Sequence, residues 1–156
     1  MDAVIQARLG SSRLPEKIFA EIVPGVRLID AVVNRAERSG IFDRIIVTTT
    51  LEQSDDELAK YCKKNNWLCF RGSSDDVLDR FAKCVDAYKI TDLIRITADD
   101  PLKDYKDVAT KLIDTYRREG LDYVSNTLRP TLPEGLDLEV VKGAAVREAS
   151  ARASNA

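Results

Sequence analysis

Short apolar runs alternate with longer segments of helical period along the chain. Six short runs have the composition and length of β-strands, and they cover 3–7, 44–50, 67–71, 92–98, 122–126 and 136–141. The first four are apolar enough to be strands that are covered on both faces. This alternation predicts an α/β domain with a mostly parallel sheet.

The segments between these runs place apolar residues at helical spacing. Four helices are predicted, and they cover 28–39, 54–64, 76–88 and 104–118. The first ends before Gly40, a residue typical of helix C-termini, and the second opens with Ser54 and Glu57 at capping-box spacing. Residues 143–156 are expected to form a terminal helix or a fraying tail.

Length and charge narrow the class of protein. With 156 residues, no internal repeat and no low-complexity linker, the chain is expected to form one domain over 1–156. A formal charge of -2, from 24 basic and 26 acidic residues, gives no global field for nucleic acid or an anionic membrane. An anion site must therefore be a local concentration of cations.

Residue usage indicates a reduced compartment and limits the chemistry. The chain has three cysteines, Cys62, Cys69 and Cys84, which are odd in number and lack C-x-x-C spacing. This pattern favours free thiols in a cytoplasmic protein. No apolar stretch reaches the 18 or so residues that a membrane span needs, and no signal peptide is evident. Histidine is absent, so mechanisms built on an imidazole base are excluded.

The segment RLGSSRLPEK (8–17) begins where the first predicted strand ends. Ligands of parallel α/β sheets bind outside the carboxyl ends of the strands, and glycine lets a backbone approach a phosphate closely. The segment matches neither the Walker loop nor the dinucleotide fingerprint. Its spacing leaves a solvated loop and an anion-binding loop equally open. The candidate residues are Arg8, Gly10, Ser11, Ser12, Arg13 and Lys17.

A second candidate segment, RITADDPL (95–102), ends another apolar strand. Asp99 could hold Mg²⁺, a cation satisfied by one or two carboxylates and substrate phosphates. Alternatively, Asp99 and Asp100 form a turn and cap the helix near Asp104. Cations on one loop and a metal-binding carboxylate on another are together what nucleotidyl or phosphoryl transfer requires.

Four stretches in the same order resemble the motifs of sugar-activating cytidylyltransferases. The resemblance is to the spore-coat polysaccharide biosynthesis branch, which is related to the acylneuraminate and 3-deoxy-manno-octulosonate cytidylyltransferases. The stretches are VIQARLGSSRLPEK (4–17), FRGSSDDVLDRF (70–81), RITADDPL (95–102) and YVSNTLRPTLPEGLDLEV (123–140). The resemblance implies a three-layer α/β/α Rossmann-like sheet of the nucleotide-diphospho-sugar transferase (GT-A-like) fold, shortened at its C-terminus.

The same resemblance implies a Mg²⁺-dependent enzyme that moves CMP from CTP to a sugar hydroxyl, in surface or spore-coat polysaccharide biosynthesis. Arg13, Lys17 and Asp99 are implied as catalytic residues, and Asp99 and Asp137 as metal ligands. The acceptor sugar would contact Asp137 and Glu139, although both also fit the outward face of an alternating strand. The implied nucleotide-binding residues are Arg8, Gly10, Ser11, Ser12, Arg13, Lys17, Arg71, Ser73 and Asp76.

Two departures from the family pattern keep alternatives open. Ala98 stands where the family usually has glycine before the metal-binding aspartate, and it could crowd an approaching nucleotide. Family members also continue well beyond GLDLEV, into a part that contributes to acceptor binding and often to homodimer contacts. The alternatives are a shortened, non-catalytic nucleotide-binding domain, or the same chemistry with another nucleoside triphosphate. The expected partners are CTP and a small sugar, with no nucleic acid and no membrane.

Overall fold

The computed structural model describes residues 1–10, 14–129 and 132–153. The strands in these ranges are β1 (Asp2–Gln6), β2 (Glu21–Val23), β3 (Val26–Arg27), β4 (Ile45–Thr50), β5 (Leu68–Gly72), β6 (Asp92–Thr97), β7 (Tyr123–Ser125) and β8 (Glu139–Lys142). The α-helices are α1 (Leu28–Ser39), α2 (Asp56–Lys64), α3 (Val77–Tyr88), α4 (Thr110–Glu119) and α5 (Gly143–Ala153).

Six of these strands form one sheet in the order β5-β4-β1-β6-β8-β7. β5, β4, β1 and β6 run parallel to one another, whereas β8 is antiparallel to β6 and to β7. β1 lies between β4 and β6, and Gln6 at its end is in register with both Thr48 and Thr97. The prediction of a mostly parallel sheet is confirmed; β1 and β6 end in register with each other, and β4 continues to Thr50.

Helices cover both faces of the sheet and create two hydrophobic cores. Ala3 and Ile5 of β1 pack with α1, α2 and α4 on one face, while Val4 packs with α3 and α5 on the other. This side-chain alternation is what a central strand covered on both faces requires. The predicted three-layer α/β/α architecture is therefore confirmed. Within the described residues, no helix has the length and apolar character needed to cross a membrane.

The helix boundaries agree with the sequence prediction where capping is local. α1 has the predicted bounds, and Gly40 ends it with a φ of 67° and a hydrogen bond from its N–H to the Glu37 carbonyl. The predicted capping box at Ser54 is wrong, because a 3-10 turn over Gln53–Asp55 precedes α2. Asp55 is buried, and its carboxylate bonds to residues outside the helix, so the chain turns before α2 can begin.

The last predicted strand starts too early. β8 begins at Glu139 rather than at 136, because the Asn126 side chain takes the place of a strand partner for the preceding residues. Its Nδ2 donates to the Leu136 carbonyl and its Oδ1 accepts from the Leu138 N–H, both at 2.9 Å. Asp137 therefore lies in an irregular segment between these two bonds. Asp137 is therefore not on the outward face of an alternating strand.

The hydrophobic pattern of the sequence does not predict two local elements. β2 and β3 form a separate hairpin that turns at Gly25, whose φ is 78°. These strands have only three and two residues, too few to show an alternation in the sequence. The helix predicted over 104–118 starts with a wide turn over Tyr105–Ala109, and regular α4 follows from Thr110.

Gly143 allows a test of how closely β8 turns into α5. Its N–H donates to the Thr91 carbonyl at 2.7 Å, and a Cβ added there would lie 2.3 Å from the Ile90 carbonyl oxygen. We expect Gly143→Ala to lower the free energy of unfolding by about 1–3 kcal/mol, because backbone atoms must move to admit the methyl group. Urea denaturation followed by circular dichroism measures this. Gly10→Ala is the control, since its methyl group would meet nothing within 4 Å. Equal stability of both variants would contradict the packing.

Candidate active site

The two segments singled out in the sequence leave the sheet at the same edge. The Ala7 N–H donates to the Thr48 carbonyl and the Ala98 N–H donates to the Gln6 carbonyl, both at 3.0 Å. These bonds carry the parallel pairing one residue beyond the ends of β1 and β6. The chain after β1 and the chain after β6 consequently begin side by side.

Lys17 and Asp99 form the contact that joins these segments. The Lys17 Nζ lies 2.5 Å from Asp99 Oδ2, and 82 residues separate the two in the chain. Burial alone would raise the pKa of Asp99, but the hydrogen bond and charge of Lys17 hold that pKa below its ordinary value. Both side chains remain partly exposed, at 26% for Lys17 and 39% for Asp99. A cation and an ionised carboxylate thus face solvent at one point of the edge.

The start of the opening segment is anchored by a buried carboxylate. Asp55 Oδ1 accepts from the Leu9 N–H at 2.7 Å, and its Oδ2 accepts from the Thr50 N–H and hydroxyl. The Glu16 N–H donates to the Leu9 carbonyl at 2.9 Å. Arg8 and Gly10 flank Leu9 and are exposed. The anchored backbone therefore presents these two predicted residues to solvent. Three further predicted residues lie outside the described ranges: Ser11, Ser12 and Arg13.

A pocket of about 280 Å³ opens beside Asp99. It lies where the ends of β6 and the segment before β8 face each other. Its lining residues are Arg95, Thr97, Asp99, Asp100, Thr127, Asp137 and Glu139. The structure thus brings together the two predicted metal ligands and the two predicted acceptor contacts. Four carboxylates line a space that is large enough for part of a small polar ligand.

The oxygen donors of this pocket fit a divalent cation. Mg²⁺ prefers carboxylate oxygens, and it is commonly held by one or two carboxylates with water and substrate phosphates. Asp99 and Asp137 supply such donors from two different loops. Among the described residues, no group of three or more acidic, histidine or cysteine side chains is placed to hold a metal ion by itself. The donor set suits a cation that a phosphate ligand helps to hold.

Glu139 is held in an ion pair with Arg95. It lies opposite Arg95 in the β6–β8 pairing, and the Arg95 Nη1 donates to Glu139 Oε1 at 2.9 Å. The same guanidinium donates through Nε and Nη2 to Gln6 Oε1, at 3.3 and 3.0 Å. Arg95 therefore ties β8 to the centre of the sheet and neutralises Glu139. A ligand in the pocket meets Glu139 as half of an ion pair.

Arg71 lies near the end of β5, and Ser73 and Asp76 follow that strand; none of the three lines the pocket. Arg71 pairs with Asp56 at 2.7 Å and also donates to the Thr50 and Glu52 carbonyls. The Ser73 hydroxyl accepts from the Asp76 N–H at 3.0 Å, and the Asp76 carboxylate caps α3 by accepting from the Asp79 N–H at 2.9 Å. All three predicted nucleoside contacts therefore shape the backbone at the edge of the sheet.

The sequence prediction missed several polar residues that build this edge. Arg80 is fully buried; its Nη1 donates to the Ser73 carbonyl at 2.5 Å, and burial lowers the pKa of its guanidinium. Its place three residues after Val77 and four before Cys84, on the apolar stripe of α3, was an available signal. Asp55 and Lys103 gave no such signal, because both occur in polar stretches that resemble solvated turns.

Ala98, which stands where the family usually has glycine, lies in the core. The residue is 2% exposed and belongs to the core on the side of α1, α2 and α4. It does not line the pocket beside Asp99. Its methyl group therefore fills core space, so it does not narrow that pocket.

Comparison with known sequences agrees with these motifs. A family model described as "Cytidylyltransferase" matches residues 3–150. The spore coat polysaccharide biosynthesis protein SpsF of Bacillus subtilis is 36% identical over 142 residues, which make up 88% of this chain and 57% of that protein. The chain thus spans little more than half of this relative. The family that the motifs indicated is confirmed.

Solved structures share the fold. A cytidylyltransferase from Leptospira borgpetersenii superposes with a TM-score of 0.86 at 28% identity, over 96% of this chain and 63% of that one. The CMP:2-keto-3-deoxy-manno-octonic acid synthetase complexed with CTP superposes with a TM-score of 0.76 at 20% identity, over 96% and 77% of the two chains. The second likeness is evidence for the fold alone.

The Lys17–Asp99 pair can be tested by titration. We expect Lys17→Met to raise the pKa of Asp99 relative to the original chain, because burial then acts without the opposing cation. Carbon-detected NMR of the Asp99 carboxyl group measures this pKa. Since the pKa is lowered in the folded protein, the pair stabilises the fold above the ordinary carboxyl pKa. That contribution is lost as pH falls through the folded-state pKa.

The control for this titration is Lys106→Met, which makes the same chemical change at an exposed position. It should leave the pKa of Asp99 where it is in the original chain. An Asp99 pKa that is the same in both variants would contradict the ion pair.

Proposed function

We propose that this chain, which belongs to the cytidylyltransferase family, is the nucleotide-binding part of an enzyme that moves CMP from CTP to a sugar hydroxyl. The observation that carries the proposal is the meeting of Lys17 with Asp99 at the carboxyl edge of the sheet. A cation for phosphate oxygens and a carboxylate for a metal ion are thereby held at one place, beside a polar pocket. Nucleotidyl transfer needs this combination.

The opening segment is assigned to the triphosphate. Lys17 would contact phosphate oxygens, since its amine lies at the same point of the edge as Asp99. Arg8 and Gly10 are exposed on the backbone that Asp55 anchors, where amides and a guanidinium could receive the remaining phosphate charge. Ser11, Ser12 and Arg13 complete this proposed loop on the sequence motif. Arg71, Ser73 and Asp76 are proposed to shape the nucleoside end of the site.

Asp99 and Asp137 are proposed to hold Mg²⁺. When bound, the ion would supply positive charge to the phosphate oxygens during transfer. Both carboxylates line the pocket, and each comes from a different loop. Lys17 holds the pKa of Asp99 below its ordinary value against the effect of burial, so Asp99 offers a charged carboxylate at neutral pH.

The pocket beside Asp99 is proposed to receive the acceptor sugar. Thr97, Thr127 and Asp137 offer hydroxyl and carboxylate groups that suit a polyhydroxylated ligand. The acceptor oxygen forms a bond to the α-phosphorus of CTP as the bond from that phosphorus to the oxygen between the α- and β-phosphates breaks. Pyrophosphate leaves with that oxygen, and one pocket carboxylate takes the hydroxyl proton. Catalysis then comes mainly from positioning and charge neutralisation, which agrees with the absence of histidine from the sequence.

The names of the relatives support the finer parts of the proposal. The second structural neighbour is a CMP-sugar-acid synthetase complexed with CTP, and the Bacillus relative is a spore coat polysaccharide biosynthesis protein. We therefore propose cytidine as the base and surface polysaccharide biosynthesis as the setting. The chain covers 57% of the Bacillus protein, so the activity is proposed for the whole protein to which this part corresponds.

Nucleotide preference gives the first test. We expect CTP with Mg²⁺ to raise the melting temperature more than ATP, GTP or UTP with Mg²⁺, because the family motif indicates cytidine. Differential scanning fluorimetry measures the four shifts under matched conditions. A larger shift with a purine nucleotide would assign the site to another triphosphate. Tight CTP binding without pyrophosphate release, across acidic and neutral sugars, would favour a non-catalytic binding domain.

Replacement of Asp99 tests the metal assignment. We expect Asp99→Asn to fold normally and to lose pyrophosphate release by about 100-fold or more, because a preorganised charge is lost from the transition state. A coupled pyrophosphate assay over a range of Mg²⁺ concentrations measures the loss. Asp114→Asn, on the exposed side of α4, is the matched control. Normal turnover by Asp99→Asn at saturating Mg²⁺ would remove Asp99 from the metal site.

A further inference from the structure

A buried lysine links the two walls of the pocket. Lys103 is 1% exposed, although its amine carries a positive charge and lies in an otherwise polar stretch. The Nζ donates to Asp100 Oδ2 at 3.1 Å and to the Asp137 carbonyl at 2.8 Å. Asp100 belongs to the loop after β6, and Asp137 to the segment before β8. One amine thus bridges the two loops that supply the proposed metal ligands.

The bridge is held in place from both ends. The Asp100 carboxylate also accepts from the Thr97 hydroxyl at 2.9 Å, which fixes it against the end of β6. The Lys103 carbonyl accepts from the Arg35 Nε at 2.7 Å, which fixes the lysine backbone to α1. Because its partners are themselves fixed, the amine holds the Asp137 backbone at a set distance from β6.

The approach of the two loops is close. A Cβ added at Gly135 would lie 3.7 Å from Asp100 Oδ1, so the chain before Asp137 passes directly over this carboxylate. Separating this buried ammonium from its partners would be costly, since it would leave an unpaired buried charge. Lys103 therefore opposes any separation of the two loops.

Lys103 does not line the pocket, and its amine is shielded from solvent. It cannot contact a phosphate or a sugar in the way that Lys17 can. Its influence on a ligand must pass through Asp100 and through the Asp137 backbone. That limits it to a positioning role.

We propose that Lys103 is a positioning residue that sets the separation of Asp99 and Asp137, and thereby the affinity of the pocket for a divalent cation. The proposal rests on the proposed function, because it takes these two carboxylates as the metal ligands. Groups that orient metal ligands commonly change metal affinity by 10- to 100-fold when they are removed. No other cation in the described residues bridges the β6 loop and the Asp137 segment.

The test compares Lys103→Met with the exposed control Lys106→Met. Mn²⁺ serves as the probe, and electron paramagnetic resonance of free Mn²⁺ gives the dissociation constant for the metal with the full chain, without nucleotide. We expect Lys103→Met to weaken Mn²⁺ binding by about 10-fold or more. Lys106→Met should bind as the original chain does. Lys103→Arg keeps the charge and several donors, so it should recover most of the affinity.

Activity gives a second readout that a general loss of stability would not reproduce. We expect Lys103→Met to need more Mg²⁺ for half-maximal pyrophosphate release, with the KM for CTP unchanged at saturating Mg²⁺. If Lys103→Met does not fold, as judged by circular dichroism, Lys103→Gln replaces it, since its amide can donate to only part of the bridge. Unchanged Mn²⁺ affinity in the folded variant would overturn the proposal.

The failures of the two proposals differ. If the original chain binds Mn²⁺ and CTP but Lys103→Met binds Mn²⁺ equally well, the positioning role is wrong and the function stands. If the original chain binds neither, the proposed function fails and the role of Lys103 fails with it. An equal loss in Lys103→Met and Lys106→Met would also overturn the positioning role.

Discussion

The arrangement of the site depends on the parallel pairing of β1 with β4 and β6. Because Gln6 is in register with both Thr48 and Thr97, the chain leaves all three strands at one edge. The segments after β1 and after β6, which are far apart in sequence, thus start next to each other. This register places the chain after β1 beside the chain after β6, and Lys17 and Asp99, which lie in those two segments, meet there.

Charge compensation is the second principle of this edge. Each of three pocket carboxylates has its own cation: Lys17 for Asp99, Lys103 for Asp100 and Arg95 for Glu139. In the part of the chain that the structure describes, the Asp137 side chain makes no ion pair. The lining is therefore close to balanced except at one carboxylate. Charges that are partly buried need such partners, and the partners also fix the geometry of the loops that carry them.

Sequence patterns gave the architecture and the ends of the central strands, because burial on two faces leaves a strong apolar signal. The motif also identified Lys17 and Asp99, which the fold brings into contact. Asp55 and Lys103 could not be found in this way, because the sequence does not distinguish a charged residue that is buried and paired from one that is solvated. The assignment of Arg71, Ser73 and Asp76 shows the converse: residues in a functional motif can be occupied with holding the backbone.

The long sequence separation across the centre of the sheet has a consequence for the order of folding. β1 pairs with β6 through contacts such as that of Gln6 with Thr97, about ninety residues later in the chain. Contacts of this range form slowly, since the chain must first lose the entropy of closing a large loop. Pairing of β1 with β4 and packing of α1 can precede that step. The edge that carries Lys17 and Asp99 is then completed late, since it needs β6 in place beside β1.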